Sequence, residues 1–329
     1  MVSGGRYGAA VPANRAEIGM CFDRTFPPPL VTDFARRLDH GGADQLWVIE
    51  DCFFTAGVSL AASALAVTER LRVGIGILPA VARNAAVTAM EIATLCGLAP
   101  GRVLPGIGHG VQSWMQQMGV RPTSPLATLE EVLVAVRRLL DGDRVTMHGR
   151  HVHLDDVQLA QPPANPPPLL AGVRGPRSLA MAGRTAGGVV LAEPASPSYV
   201  RWALEQCGNP DGFHVAVFSV LCVDDDRTRA YETMSPWLAA LLADPHVGLR
   251  ALPFFDDLVT RFGRHGVSGL ATMPSDWWQE IGPIGTLDDA VDHMEALEAA
   301  GVHSIGMFPA PDVGIATVQL DDVLRLGTR

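Results

Sequence analysis

Residues 72–108 read RVGIGILPAVARNAAVTAMEIATLCGLAPGRVLPGIG, and this stretch decides the fold. Its first part, RVGIGIL (72–78), is a short apolar run of the kind that forms a buried strand. Alanine-rich sequence over residues 85–98 predicts a helix, and RVLPGIG (102–108) repeats the strand pattern. A strand, a helix and a second strand in this order indicate parallel strands joined by a crossover helix.

The same alternation continues on both sides of this unit. We predict eight strands, at residues 17–22, 44–50, 72–78, 102–108, 168–173, 187–192, 213–223 and 303–308. Helices are predicted between most of them, at residues 30–40, 58–68, 85–98, 128–142, 174–184, 197–207 and 286–301. Eight strands that are mostly followed by a helix predict an α/β protein with a (β/α)8 TIM barrel and insertions.

The ends and the long connections define the domain organisation. We expect a flexible tail at residues 1–16 and a single barrel domain over residues 17–329. One insertion, at about residues 143–167, holds a predicted hairpin and a proline-rich run. The second, at residues 243–284, is too long for a plain connection and is expected to form a lid or a dimer contact.

Two helix starts carry threonine. Thr128 and Glu131 have the spacing of a capping box, in which Thr128 caps the helix and Glu131 reaches back to it. Thr286 begins the last predicted helix, which ends at Gly301.

Composition excludes several classes of function. All 25 basic residues are arginine, because the chain contains no lysine. Schiff-base chemistry and P-loop nucleotide hydrolysis both need a lysine and are therefore excluded. The formal net charge of −10 argues against nucleic acid and against an anionic membrane as partners.

The five cysteines are scattered and form no CxxC pair. An odd number of cysteines without a framework is typical of reduced thiols, and the first residues lack the apolar core of a signal peptide. We therefore expect a cytoplasmic protein.

In a TIM barrel the site is built at the carboxyl ends of the strands. Those positions hold Asp51, Gly76–Ile77, Gly108–His109, Gly172–Val173–Arg174, Glu193 and Asp224. LPGIGHG (104–110) reads GxGxG rather than GxGxxG, which makes a Rossmann turn a poor explanation. Two interpretations remain open, a tight turn or a backbone surface against which a flat cofactor lies.

The segment AGVRGPRSLAMAGR (171–184) indicates an anion site. A strand ends at Gly172, a short loop carries Arg174, and Pro176 is suited to the first turn of a helix. The free N–H groups and the positive dipole end of that helix attract phosphate, to which Arg174 or Arg177 adds a forked contact. The alternative is an arginine beside an ordinary surface loop.

Four stretches together resemble the luciferase-like superfamily of flavin- and deazaflavin-dependent oxidoreductases, from about residue 17 to the end: LWVIEDCF (46–53), VGIGILPAVARNAAVTAMEIATL (73–95), PGIGHGVQSWMQQMG (105–119) and AGVRGPRSLAMAGR (171–184). The branch most resembled uses coenzyme F420, an 8-hydroxy-5-deazaflavin, as methylene-tetrahydromethanopterin reductases do. The resemblance implies a bacterial luciferase-like barrel, a homodimer and a cis peptide bond between Gly76 and Ile77.

The resemblance also implies roles for the residues at the strand ends. Residues expected to bind the cofactor are Asp51, Cys52, Gly76, Ile77, Gly108, His109, Gly110, Gly172, Val173, Arg174, Gly175 and Pro176. Cys52 stands where many relatives carry a histidine that is tied to oxygen chemistry, which disfavours oxygenation. Val111 stands where relatives that oxidise sugar phosphates carry a glutamate, which disfavours that reaction.

The leading hypothesis is hydride transfer between deazaflavin C5 and a small organic substrate, with reduction of an activated C=C or C=N bond. His109 and Glu193 are the candidate proton carriers; the alternatives are a structural histidine and a helix-entry acid. Trp114, Met115 and Glu193 are expected on the substrate side, although Trp114 and Met115 are equally plausible as core.

Two rival functions stay open. One is an FMN-dependent monooxygenase that receives reduced flavin from a partner reductase, because the same phosphate loop serves FMN. The other is a metal site in the hairpin, formed by His148, His151 and His153. A protein of this negative charge also needs an arginine cluster for the anionic tail of F420, for which Arg83, Arg174 and Arg177 are candidates.

Overall fold

The computed structural model describes residues 15–328, so the tail predicted at residues 1–16 lies almost entirely outside the described residues. The strands in the described range are β1 (Glu17–Phe22), β2 (Gln45–Val48), β3 (Arg72–Pro79), β4 (Val103–Gly108), β5 (Val145–His148), β6 (His153–Val157), β7 (Leu170–Gly172), β8 (Gly188–Leu191), β9 (His214–Val220), β10 (Cys222–Val223), β11 (Ile284–Gly285) and β12 (Ser304–Phe308).

Eight of these strands close into a parallel barrel in the order β1, β12, β9, β8, β7, β4, β3, β2. Strand β1 closes the ring, because Glu17 pairs with Ser304 on one side and Gly19 pairs with Gln45 on the other. The predicted (β/α)8 barrel is confirmed.

The helices are α1 (Val31–Gly41), α2 (Gly57–Ala66), α3 (Ala85–Leu98), α4 (Gln112–Gln117), α5 (Pro125–Leu140), α6 (Pro176–Thr185), α7 (Pro197–Cys207), α8 (Arg227–Ala243), α9 (Val247–Arg250), α10 (Phe255–Ala271), α11 (Ser275–Ile281), α12 (Leu287–Ala299) and α13 (Val313–Gly327). Within residues 15–328, none of them combines the length and the apolar character that a bilayer crossing needs.

The predicted strand at 213–223 is two strands in the structure. Strand β9 ends at Val220, and the Leu221 N–H donates to the Phe308 carbonyl at 2.9 Å. The next two residues form β10, which leaves the barrel and pairs with β11. The apolar run at residues 213–223 is unbroken, so nothing in the sequence indicated that the chain passes there from the barrel sheet to a second sheet.

The capping box predicted at Thr128 and Glu131 is wrong. Helix α5 begins one turn earlier, at Pro125, where Ser124 Oγ accepts the N–H of Ala127. Thr128 lies inside the helix and donates to the Ser124 carbonyl at 2.9 Å. Glu131 instead accepts backbone N–H groups of residues 150–152 in the hairpin connection, at 2.8–2.9 Å. At the start of α12, Thr286 and Asp289 do form a capping box.

The inside of the barrel is filled. Trp47 and Phe218 meet edge to face, with ring centroids 5.2 Å apart, in a cluster that includes Leu104 and Leu170. Toward the amino ends of the strands, Trp47 Nε1 donates to Gln45, and Gln45 donates to Ser304 Oγ, both at 2.8 Å. A ligand can therefore enter only from the carboxyl ends of the strands.

The second insertion is larger than the predicted 243–284, because it begins at Arg227. Helices α8 to α11 pack around their own apolar cluster, which includes Tyr231, Leu249 and Trp278. Its tip touches the barrel mouth: an alanine Cβ at position 248 would lie 3.1 Å from the Pro194 carbonyl oxygen. The insertion therefore lies against the loop that follows β8.

Candidate active site

A cavity of about 540 Å³ opens at the carboxyl ends of the barrel strands. Loops after five different strands contribute to it, together with the end of β3 and two aromatic side chains from the barrel interior. Its lining residues are Arg24, Ile49, Glu50, Asp51, Gly76, Ile77, Pro79, His109, Gly110, Val111, Trp114, Gly172, Val173, Arg174, Gly175, Ser178, Val190, Ala192, Glu193, Phe218 and Phe308. Most of the residues that the sequence singled out therefore meet in one place.

The Ile77 side chain packs across three glycines, Gly106, Gly108 and Gly172, and we call its surface the Ile77 ledge. Alanine Cβ atoms at Gly106, Gly108 and Gly172 would lie 2.9, 2.9 and 2.7 Å from atoms of the Ile77 side chain. Ile77 sits in a bulge of β3, where the pairing with β4 shifts register, and the Gly76–Ile77 peptide is cis, as the resemblance implies. Gly108 is thus covered by Ile77, and the isoleucine surface, rather than bare glycine backbone, faces the cavity.

The second half of LPGIGHG is a turn as well. Gly110 has φ +67°, a conformation that favours glycine, and its neighbours are Pro79 and Met115. Met115 is completely buried beneath this turn and belongs to the core, whereas Trp114 reaches the cavity. Of the two side chains expected on the substrate side of this loop, only Trp114 lines the site.

His109 is held between two helices. Its Nδ1 lies 3.2 Å from the Pro125 carbonyl at the start of α5, and its Nε2 lies 3.1 Å from Ser178 Oγ on α6. A carbonyl can only accept, so Nδ1 carries the proton and a neutral Nε2 accepts from Ser178. Burial lowers the pKa of His109. The imidazole is therefore neutral at pH 7.

Asp51 forms an ion pair with Arg24, a residue of the loop after β1 that sequence reasoning missed. The Arg24 guanidinium also lies over the Phe54 ring, 4.9 Å from its centroid. Arg24 comes two residues after the end of β1, so the rule that located Asp51 at the end of β2 also applied to it. The carboxylate of Asp51 is therefore neutralised within the protein.

Glu193 lines the cavity, and another residue caps the helix that follows it. Ser196 Oγ accepts the N–H of Tyr199 at 3.0 Å and caps α7, so Glu193 is not the helix-entry acid. Burial raises the pKa of Glu193, the Asp51 carboxylate raises it further, and Arg174 and Arg24 oppose the shift. A carboxyl group with these properties keeps its proton to a higher pH than usual.

The segment after β7 has the helix start and the arginine on which the predicted anion site depends. Helix α6 begins with Pro176 after Gly175, and no side chain caps it, which leaves the N–H groups of Arg177 and Ser178 available. Tyr199 Oη donates to the Arg174 carbonyl at 3.0 Å and fixes the loop. The Arg174 side chain lines the cavity, while Pro176 and Arg177 are exposed outside its lining.

Arg83 and Cys52 do not take the positions that we expected from the sequence. Arg83 does not join Arg174, because Glu50 binds it through both oxygens and Glu91 lies 3.0 Å from its Nε. Cys52 lines a neighbouring cleft rather than the main cavity. Burial raises the pKa of the Cys52 thiol, and the carboxylates of Glu50 and Asp51 raise it further.

The hairpin does not assemble a metal site. His148 pairs with His153 across β5 and β6, whereas His151 lies in the connection between them. Across residues 15–328, no three histidine, cysteine or acidic side chains gather in a geometry that would hold a metal ion.

Comparison with known proteins gives one family. Residues 10–304 match luciferase-like monooxygenases. A 5,10-methylenetetrahydromethanopterin reductase of Methanolobus tindarius is 28% identical over 234 residues, which cover 68% of this chain and 71% of the relative.

Two solved structures have the same fold. The coenzyme F420-dependent tetrahydromethanopterin reductase of Methanopyrus kandleri gives a TM-score of 0.76 at 20% identity, with 95% of this chain and 97% of that chain covered. An F420-dependent secondary alcohol dehydrogenase in complex with an F420–acetone adduct gives 0.75 at 20% identity, with 96% and 99% covered.

Proposed function

This chain belongs to the luciferase-like monooxygenase family of oxidoreductases, and we propose that it is a coenzyme F420-dependent member. In this proposal the enzyme transfers a hydride between deazaflavin C5 and a small organic substrate, and it reduces an activated C=C or C=N bond. The methylenetetrahydromethanopterin reductase relative supports the choice of cofactor.

The observation that carries the proposal is the uncapped start of α6 beside Arg174. An alanine Cβ at Gly175 would meet no atom within 4 Å, so the approach to this helix end is open. Two free N–H groups, the helix dipole and the guanidinium suit a phosphate diester such as that of F420. The residues present therefore fit the anionic part of the coenzyme.

The ring fits the other half of the cavity. The Ile77 ledge offers an apolar surface, and Gly172 and Gly110 border it without side chains. When bound there, the coenzyme supplies a hydride donor or acceptor at C5. The protein's part is to orient the reactants, exclude water and supply the proton.

Two side chains suit the proton. The raised pKa of Glu193 lets its carboxyl group keep the proton to a higher pH than an ordinary glutamate, which makes it the better acid. His109 is neutral, with the Nε2 lone pair toward Ser178, and acts as an acceptor or orients the ring edge. We propose Glu193 as the proton donor for reduction and His109 as its partner.

Titration of the purified protein with F420 and with FMN tests the cofactor. We expect F420 to bind, and we expect Arg174→Ala to weaken its affinity by about tenfold through loss of a charge-assisted contact. Arg184→Ala is the matched control, because Arg184 is exposed at the far end of the same helix. Equal F420 affinity in the two variants contradicts the phosphate site.

The second candidate is an FMN-dependent monooxygenase supplied by a partner reductase. It is favoured by the same helix end, which suits the terminal phosphate of FMN equally well. Tight FMN binding together with substrate-dependent oxygen uptake selects this candidate. F420 binding without oxygen uptake selects the first.

We also propose that the protein is a homodimer. Helix α2 contains no charged residue and α3 contains only Glu91, although α3 exposes Val87, Met90 and Leu98. Such a face is typical of an interface between subunits. Light scattering is expected to give twice the chain mass, and Met90→Glu to halve it. Val318→Glu, at an exposed valine on α13, is the control that should leave the mass unchanged.

A further inference from the structure

The two acidic side chains that follow β2 at the cavity are each paired with an arginine. Asp51 is paired with Arg24, and Glu50 is paired with Arg83, whose Nη2 lies 2.9 Å from a Glu50 oxygen. His109 has hydrogen-bond partners at both nitrogens. Among the described residues that line the cavity, Arg174 is the remaining cation, and the proposed function assigns it to the anionic part of the cofactor.

The rim between β2 and β4 exposes several apolar side chains beside the Arg24–Asp51 ion pair. Phe53 and Phe54 follow Asp51 in a turn in which the Phe54 N–H donates to the Asp51 carbonyl at 2.9 Å. They are 64% and 52% exposed, and Val111, on the loop after β4, is 45% exposed. Trp114 lines the cavity next to Val111. Because β2, β3 and β4 are neighbours in the barrel, these side chains lie on one arc of its mouth, Phe53 and Phe54 in the adjoining cleft and Val111 and Trp114 at the cavity itself.

The arc continues into an apolar floor. Phe308 and Phe218 meet edge to face with centroids 5.4 Å apart, and both line the cavity with Ile49 and Val190. Exposed aromatic side chains are costly in water, and a contiguous group of them usually marks a binding surface. An apolar path therefore runs from the solvent to the bottom of the cavity.

We propose that the substrate is an uncharged, predominantly apolar molecule, selected by the rim of Phe53, Phe54, Val111 and Trp114. The inference rests on the proposed function in one respect, namely that the cofactor occupies the Arg174 side. A charged substrate would lose hydration at this rim without gaining a free counter-charge. An apolar substrate gains from the surface that it removes from water.

Binding of two matched probes tests the proposal without turnover. 2-Octanone and 7-oxooctanoate share a chain of eight carbons and differ in one terminal group, a methyl or a carboxylate. Isothermal titration into the F420-loaded enzyme is expected to show 2-octanone binding about tenfold or more tightly than 7-oxooctanoate. Equal affinities, tighter binding of the carboxylate, or no binding of 2-octanone at millimolar concentration each overturn the proposal.

A charge placed on the rim should reverse the preference. Val111→Arg supplies a counter-charge at an exposed position and is expected to favour 7-oxooctanoate while F420 affinity stays within about twofold. Val259→Arg is the matched control, since Val259 is 43% exposed on α10 in the insertion. An unchanged preference in Val111→Arg also overturns the proposal.

The two hypotheses fail in different ways. Failure of the proposed function appears as absence of F420 binding, measured before any probe is added. The same probe titrations on the cofactor-free protein then still report whether the rim prefers the ketone. A carboxylate preference with normal F420 binding overturns the substrate class alone.

Discussion

His109 is a single side chain whose chemistry is set by two helices. Pro125 on α5 and Ser178 on α6 occupy its two nitrogens, so the ring has one tautomer and one orientation. The alternation of glycines around it located the residue in the sequence, but its partners are 16 and 69 residues away. The tautomer could not be predicted because it depends on those distant contacts.

We expect His109→Ala to lower kcat by about 100-fold while the F420 dissociation constant changes little, because the imidazole serves the reacting edge rather than the phosphate. Steady-state kinetics and fluorescence titration of the same preparation measure the two effects. Ser178→Ala is the companion variant and should give a smaller loss, since it removes only the contact that orients Nε2. Wild-type turnover in His109→Ala would show that the histidine is structural.

Glu193 predicts a pH dependence. Burial raises the pKa of Glu193, so its acid form persists to higher pH, and a step that needs this proton should slow as pH rises through the raised pKa. The expected kcat profile for reduction is therefore flat at low pH and falls on the alkaline side. Glu193→Gln should lose this limb and most of the activity. A limb that survives in Glu193→Gln belongs to another group.

The candidate site could be predicted from the sequence in part. Asp51, His109, Arg174 and Glu193 were found because they stand at strand ends. Arg24 follows the same rule and was overlooked, whereas the burial of Met115 depends on how α4 folds back under Gly110. Strand position is local information, but the direction in which a loop returns is not.

At the scale of elements, glycines of β4 and β7 leave the space that the Ile77 side chain of β3 occupies. Gly106→Ala would place a Cβ 2.6 Å from the Ile75 carbonyl oxygen, which belongs to the backbone, and 2.9 Å from Ile77 Cγ2. We expect a loss of about 1–3 kcal/mol in the free energy of unfolding, together with weaker cofactor binding. Chemical denaturation measures the stability.

Gly175→Ala is the control for this substitution. Gly175 has φ −90° and open space where the Cβ would stand, so stability should change by less than about 0.5 kcal/mol. A wild-type stability for Gly106→Ala would mean that the β3 bulge shifts more easily than the contacts around it indicate.

A helix was predictable where the local sequence pattern allowed only one assignment of its bounds. Helices at residues 85–98 and 197–207 were predicted with the bounds that the structure shows. The start of α5 was missed because Ser124–Pro125 and Thr128–Glu131 both have the pattern of a helix start, and tertiary contacts of Glu131 decided between them. The insertion was placed too late because helix α8, which holds Pro236 in its interior, was not predicted.

For the whole molecule, the burial of a histidine predicts that the free energy of unfolding falls in acid. Burial lowers the pKa of His293 to about 4, so the unfolded chain takes up a proton near pH 6.5 while the folded chain stays neutral. Above pH 6.5 the histidine is neutral in both states and costs no stability. As pH falls toward 4, protonation of the unfolded chain lowers the free energy of unfolding. We expect the free energy of unfolding to fall by on the order of 3 kcal/mol from this group.

Denaturation at a series of pH values checks this dependence. His293→Gln should flatten the curve between pH 6.5 and 4, whatever its stability at pH 7. His265→Gln is the control, because His265 is exposed on α10 and should leave the slope unchanged. An identical slope in His293→Gln and the wild type would show that other groups govern the acid response.

The insertion and the barrel have separate apolar cores, and the insertion tip rests on Pro194, next to Glu193. The insertion is therefore equipped to open as a cooperative unit while the barrel stays folded. Each such opening would expose the proposed proton donor to water. Its pKa would then return toward that of a free glutamate. Evolution could thus tune turnover through substitutions in helices that never meet the ligand.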